Sequence, residues 1–271
     1  MTSPATARVD PVTIEIGGTA INIRTADFQF HRLLLERYSG FVTRSRSQQL
    51  ELEIELSDPA HTADLDKDLQ LAVQDKDWLI QRGDFRACWN PATGRGCVHQ
   101  PSSPYAIDSI LRIIHTLILA GRGGFLLHAA SAIRCGHASL FAGISGAGKT
   151  TITRLAPPDT TLLTDEISYV IRKDGEYFAC GTPFSGELAR AGENVSAPIK
   201  TLFLLHKGPR NRIESVSQIE AVRSLLRNIL FFAADAELVS RVFESACEFV
   251  SQVPVSRLTF FPDERVWNII G

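Results

Sequence analysis

The stretch Leu140-Phe141-Ala142-Gly143-Ile144-Ser145-Gly146-Ala147-Gly148-Lys149-Thr150-Thr151 decides the fold. Three apolar residues run straight into a glycine-rich turn with the spacing G-x-x-x-x-G-K-T from Gly143 to Thr150. Glycines permit a backbone path whose N–H groups point inward, and such a ring of donors cradles phosphate oxygens. A helix opening at Lys149 adds the positive end of its dipole. The Lys149 ammonium is then expected to reach the β- and γ-phosphates, and the Thr150 hydroxyl to ligate Mg²⁺. Gly143, Ser145, Gly146, Ala147, Gly148, Lys149, Thr150 and Thr151 form the expected contact set for a nucleoside triphosphate, read as MgATP.

Working outward, the helix after the turn is short, because Ala156-Pro157-Pro158 cannot continue it. The next apolar run, Thr161-Leu162-Leu163, ends in Thr164-Asp165-Glu166. An acidic pair at the end of a strand is where a phosphate-loop protein keeps its Mg²⁺ partner and its base, and kinases of small substrates often place it on the very next strand. Asp165 suits either holding Mg²⁺ through water or accepting the proton of an attacking hydroxyl, with Glu166 in the other role. The sequence leaves that division open.

Upstream, residues 125–133 and 138–142 read as strands, and Ser103-Pro104 opens a helix to about Ala120. Gln100-Pro101-Ser102-Ser103-Pro104 marks a boundary, giving a lobe of residues 1–102 and a catalytic-type domain of residues 103–271. In the first lobe, residues 12–16 and 20–24 flank Gly17-Gly18 as a hairpin, residues 28–38 have helical spacing, and Leu50 to Leu56 alternates strictly. Residues 61–77 read as a polar loop or short helix. Residues 78–89 and 97–100 read as strands around the turn at residues 90–94. This lobe carries no catalytic signature. Downstream, residues 197–205 form a buried strand, residues 219–233 and 236–250 are helices, and residues 255–261 make a closing strand. Arg223 and Arg227, four apart on one helix, either are solvated or lie near the nucleotide, and solvation is the expectation.

Composition narrows the alternatives. Of 271 residues, 44% are hydrophobic and 21% charged, with a net charge of −2. No basic stripe stands out, which argues against a nucleic-acid partner. The most apolar helical stretch, residues 107–120, is interrupted by Arg112 and His115 and is too short to span a bilayer. With no signal-peptide core in residues 1–11, no membrane association and a cytoplasmic location are expected. The five cysteines lack zinc spacing. Cys88 and Cys97 could face each other across a hairpin, but reduced packing cysteines are the expectation.

The order Leu126-Leu127-His128-Ala129-Ala130, then the glycine loop, then Leu162-Leu163-Thr164-Asp165-Glu166, then Gly181-Thr182-Pro183-Phe184-Ser185-Gly186-Glu187, resembles the HPr serine kinase-like proteins, relatives of ATP-dependent phosphoenolpyruvate carboxykinase. It looks closest to the compact members that include lasso-peptide serine kinases. The resemblance implies an α/β phosphate-loop kinase core with a mixed sheet, here preceded by a small β-rich α+β lobe. It implies ATP and Mg²⁺ as cofactors and a serine-containing peptide or protein as acceptor. His128 then belongs to the catalytic network and Asp165 is the base. Glu166 stands where the family has a second aspartate. Glu187 falls in the segment facing the active site and is expected at Mg²⁺ or substrate, with Arg190 at phosphate or a substrate carboxylate. Two rival readings remain: an ATP-binding regulator or assembly factor without phosphotransfer, and a kinase of a small molecule such as a free amino acid. Homo-oligomerisation is left open.

Overall fold

A computed structural model of the chain describes residues 10–44, 50–57 and 68–270. Its contacts divide it into two units, residues 1–114 and 115–271.

The first unit is built on a seven-stranded mixed sheet. The hairpin β1 (Val12–Ile16) and β2 (Thr19–Thr25) turns on Gly17 and Gly18, both at positive φ. Helix α1 (Phe28–Arg37) starts where the Asp27 carboxylate accepts from the Phe30 N–H at 2.7 Å. It buries Phe30 and Leu34. Strand β3 (Leu50–Leu56) lies parallel to β2, and its alternation places Leu50, Leu52 and Ile54 in the core. Then come β4 (Gln70–Gln74), β5 (Asp77–Arg82), β6 (Phe85–Asn90) and β7 (Arg95–Gln100), in the order β1-β2-β3-β7-β6-β5-β4.

Two expectations are corrected here. Residues 70–74 are a strand pairing with β5, although residues 61–67 of that polar stretch lie outside the described residues. Residues 78–89 are two strands, because Gly83-Asp84 turns the chain and Asp84 holds Arg82 at 2.5 Å. The reduced state expected of Cys88 and Cys97 is also corrected. They are directly opposed partners on β6 and β7, 5.3 Å apart at Cα, and are joined in a disulfide.

Helix α2 (Pro104–Ala120) is opened by Ser103, whose hydroxyl accepts from the Tyr105 N–H. In the first unit its Asp108 accepts from the Tyr38 hydroxyl at 2.5 Å and pairs with Arg37. The division between units falls inside this helix, after Ile114.

The second unit is a nine-stranded mixed sheet. Its strands are β8 (Phe125–Arg134), β9 (His137–Ala142), β10 (Thr161–Thr164), β11 (Ile167–Lys173), β12 (Glu176–Cys180), β13 (Ser196–Lys207), β14 (Arg212–Ser215), β15 (Ile229–Leu230) and β16 (Val255–Phe260). Strands β9, β13 and β16 run parallel, and β8 runs antiparallel to β9. Leu140, Ala142, Leu202 and Leu204 pack with Leu225 of α4 (Gln218–Asn228) and Phe249 of α5 (Ala236–Gln252). Phe141, Phe203 and Leu205 pack on the other face with Ile152 of α3 (Lys149–Arg154) and Trp267 of α6 (Trp267–Ile270). Burial on both faces explains why these strands read as continuous apolar runs. The helix expected over residues 219–233 stops at Asn228, because Ile229 and Leu230 pair with Leu127 and Leu126 on β8.

Candidate phosphate-binding site

The glycine turn sits between β9 and α3, with β8 on one side of β9 and β13 on the other. Gly146 and Gly148 take φ of 75° and 109°, backbone that residues with a Cβ rarely adopt. Gly148 has a second reason to be glycine, since a Cβ there would meet the Phe260 ring at 2.6 Å. Lys149 folds back over the loop and donates to the Gly143 carbonyl at 3.0 Å. Burial holds its ammonium below the ordinary lysine range, against the pull of the Glu166 and Glu187 carboxylates.

The acidic pair is set by Thr164 at the end of β10. Its hydroxyl accepts from the N–H groups of Glu166 and Ile167, both at 3.1 Å, and so fixes the corner between β10 and β11. Asp165 is 2% exposed and faces the segment after β12. Its two carboxylate oxygens accept from the N–H groups of Gly186 at 2.9 Å and Leu188 at 2.8 Å. Each oxygen keeps a second lone pair. Asp165 thereby clamps the segment that carries Glu187. Gly186 permits that approach, because a Cβ there would lie 3.0 Å from the Asp165 carboxylate and 2.9 Å from Glu166.

These pieces converge. One cavity of about 300 Å³ is lined by His128, Ser145, Gly146, Gly148, Lys149, Thr150, Thr151, Asp165, Glu166, Gly186, Glu187 and Lys207. Gly143 and Ala147 line a larger cavity of about 940 Å³, which also takes in His128, Ser145, Gly146 and Lys207. Of the residues singled out in the sequence, Arg190 stands apart: it is exposed and lines neither cavity. Sequence reasoning passed over Lys207. It ends β13, the parallel neighbour of β9, and sites gather at the carboxyl ends of parallel strands, a placement that only the strand order reveals. Arg223 and Arg227 are exposed as expected, yet both line the larger cavity.

The residues present suit Mg²⁺, since a hydroxyl and carboxylates are the hard oxygen donors it prefers. Among the described residues no three His, Cys, Asp or Glu side chains gather as a metal cluster. Mg²⁺ usually keeps several waters and binds through one or two carboxylates plus phosphate oxygens, a need this cavity can meet.

Fold and site together define a mixed α/β protein whose second unit lines one cavity with a glycine turn, a lysine and the residues Asp165, Glu166 and Glu187. The family described as SynChlorMet cassette protein ScmC matches residues 104–271, and the chain belongs to that family. No curated protein matches the chain. Among solved structures, the Hpr(Ser) kinase/phosphatase from Coxiella burnetii is similar at 11% identity with a TM-score of 0.24, covering 44% of this chain and 87% of that one. No described helix is long and apolar enough to cross a membrane.

Proposed function

We propose that the second unit is an ATP-dependent kinase that transfers the γ-phosphoryl group to a serine hydroxyl on a peptide or protein. The observation that carries this reading is the single cavity shared by the glycine turn, Lys149, Thr150 and the Asp165, Glu166 and Glu187 carboxylates. The motif order noted in the sequence supports it. The polyphosphate lies along the loop N–H groups with Lys149 against its outer phosphates. Thr150, Asp165 and Glu187 would hold Mg²⁺, which supplies positive charge to the leaving polyphosphate. The serine oxygen attacks the γ-phosphorus as the bond to the β,γ-bridging oxygen breaks, and ADP departs. The serine proton passes to a carboxylate, assigned here to a free lone pair of Asp165. Glu166 supports that role, and His128, on the wall of the same cavity, is assigned to the catalytic network.

The test is γ-labelled ATP with Mg²⁺ and serine-containing peptides. Label appears on the acceptor with the native chain and is lost with both Lys149→Ala and Asp165→Asn. Nucleotide binding without label on any of a broad acceptor panel would leave the regulator reading in its place.

A further inference from the structure

The larger cavity continues the smaller one, and the two meet at His128, Ser145, Gly146 and Lys207. The smaller takes the later loop residues, from Gly148 to Thr151, while the larger takes residues 142–147, the end of β13 and one side of α4. Its charge is positive. Lys207, Arg223 and Arg227 all line it. Neither arginine has an ion pair or hydrogen bond among the described residues. Glu220 is also on the wall, but its carboxylate is already bound by Arg257 at 2.5 Å. Apolar side chains sit among these cations: Ile144 is 83% exposed and Ile219 is 74% exposed. Isolated exposed isoleucines need no explanation, but two beside unpaired guanidinium groups and a phosphate loop do.

The surface extends past α4. Ile219 and Arg223 also border a groove of about 470 Å³, where Val222, Leu226 and Cys247 supply an apolar floor. An extended surface alternating cations with apolar side chains suits a chain segment better than a small solute. The larger cavity carries no aromatic platform beyond imidazole, as base stacking on nucleic acid would want.

We propose that this track, from Ser145 past Arg223 and Arg227 to the groove at Val222 and Leu226, is the acceptor-binding surface. Its occupant is an acidic peptide segment with an apolar side chain near the serine that receives the phosphoryl group. The proposal rests on the phosphotransfer reading above and names its substrate class. Charge complementarity supports the acidic character, and the exposed isoleucines support the apolar residue.

The experiment measures binding of fluorescent serine peptides by anisotropy, in acidic, glutamine-substituted neutral and lysine-substituted basic versions, each with one leucine. ATP affinity is measured in parallel. The acidic peptide binds tightest, and its affinity falls with added salt. The double variant Arg223→Glu, Arg227→Glu weakens it by about tenfold, the effect of two exposed ion pairs, and leaves ATP affinity within about twofold. The double glutamine variant gives an intermediate loss, which separates charge from misfolding. Equal binding of all three peptides, or an equal loss of ATP affinity, overturns the proposal. If the acidic peptide binds through the arginines yet receives no label from ATP, the surface stands and the phosphotransfer reading falls. If a peptide is phosphorylated with KM unchanged in the double variant, the surface falls and phosphotransfer stands.

Discussion

Burial lowers the pKa of the Lys149 ammonium, and the Glu166 and Glu187 carboxylates only partly restore it. A bound polyphosphate favours the protonated amine, so ATP affinity is predicted to fall as pH rises, beginning below the ordinary lysine value of 10.5. Titrating affinity against pH checks this, and Lys149→Met removes the alkaline limb. His115 gives a stability prediction of the opposite kind. It is fully buried, its Nδ1 lies 3.0 Å from the Tyr169 hydroxyl, and burial followed by the Arg122 charge lowers its pKa to about 3 from 6.5. Between those values the unfolded chain holds a proton on this ring that the folded chain lacks. His115 therefore costs no stability above 6.5, and on acidification it removes about 1.4 kcal/mol per pH unit down to about 3. Denaturant titrations across that range check the slope, and His115→Gln lessens it by about one proton.

At the scale of elements, the glycine turn depends on backbone more than on side chains. Gly148→Ala adds a Cβ at a φ of 109° and presses it into Phe260, so it is predicted to lose about 2 kcal/mol or more of stability and to weaken nucleotide binding. A melting curve and an ATP titration on the same variant check both effects. The β6–β7 hairpin offers a chemical prediction. With Cys88 and Cys97 bonded, alkylation of the unfolded but unreduced chain marks only Cys135, Cys180 and Cys247, and mass spectrometry reads all five after reduction. Hairpin β1–β2, strand β3 and helices α1 and α2 were legible because period, turn glycines and caps agree locally. Strand β15 was not, since two residues inside a helical pattern leave the helix only because β8 offers them an edge. Likewise Gln70–Gln74 is exposed at every position but Leu71, so no buried face marks it, and only its pairing with β5 makes it a strand. In the candidate site the loop and Asp165-Glu166 could be read from local spacing. Lys207 and the cavity contacts of Arg223 and Arg227 depend on which strands lie side by side, which spacing does not encode.

Across the whole chain, the glycine turn, Lys149 and the Asp165, Glu166 and Glu187 carboxylates line one cavity in the second unit. The parallel trio β9, β13 and β16 brings the glycine turn, Lys207 and Phe260 to one end of that sheet. Antiparallel β8 adds His128, and β10 with β11 adds the acidic pair. On the reading proposed above, residues 143–150 enclose a polyphosphate beside those carboxylates. Calorimetric titration of MgATP into the native chain and into Lys149→Ala tests it most directly. One bound equivalent is expected for the native chain, and for the variant a loss of roughly 2 to 3 kcal/mol, or about a hundredfold in affinity. Binding by Lys149→Ala as tight as that of the native chain would contradict it.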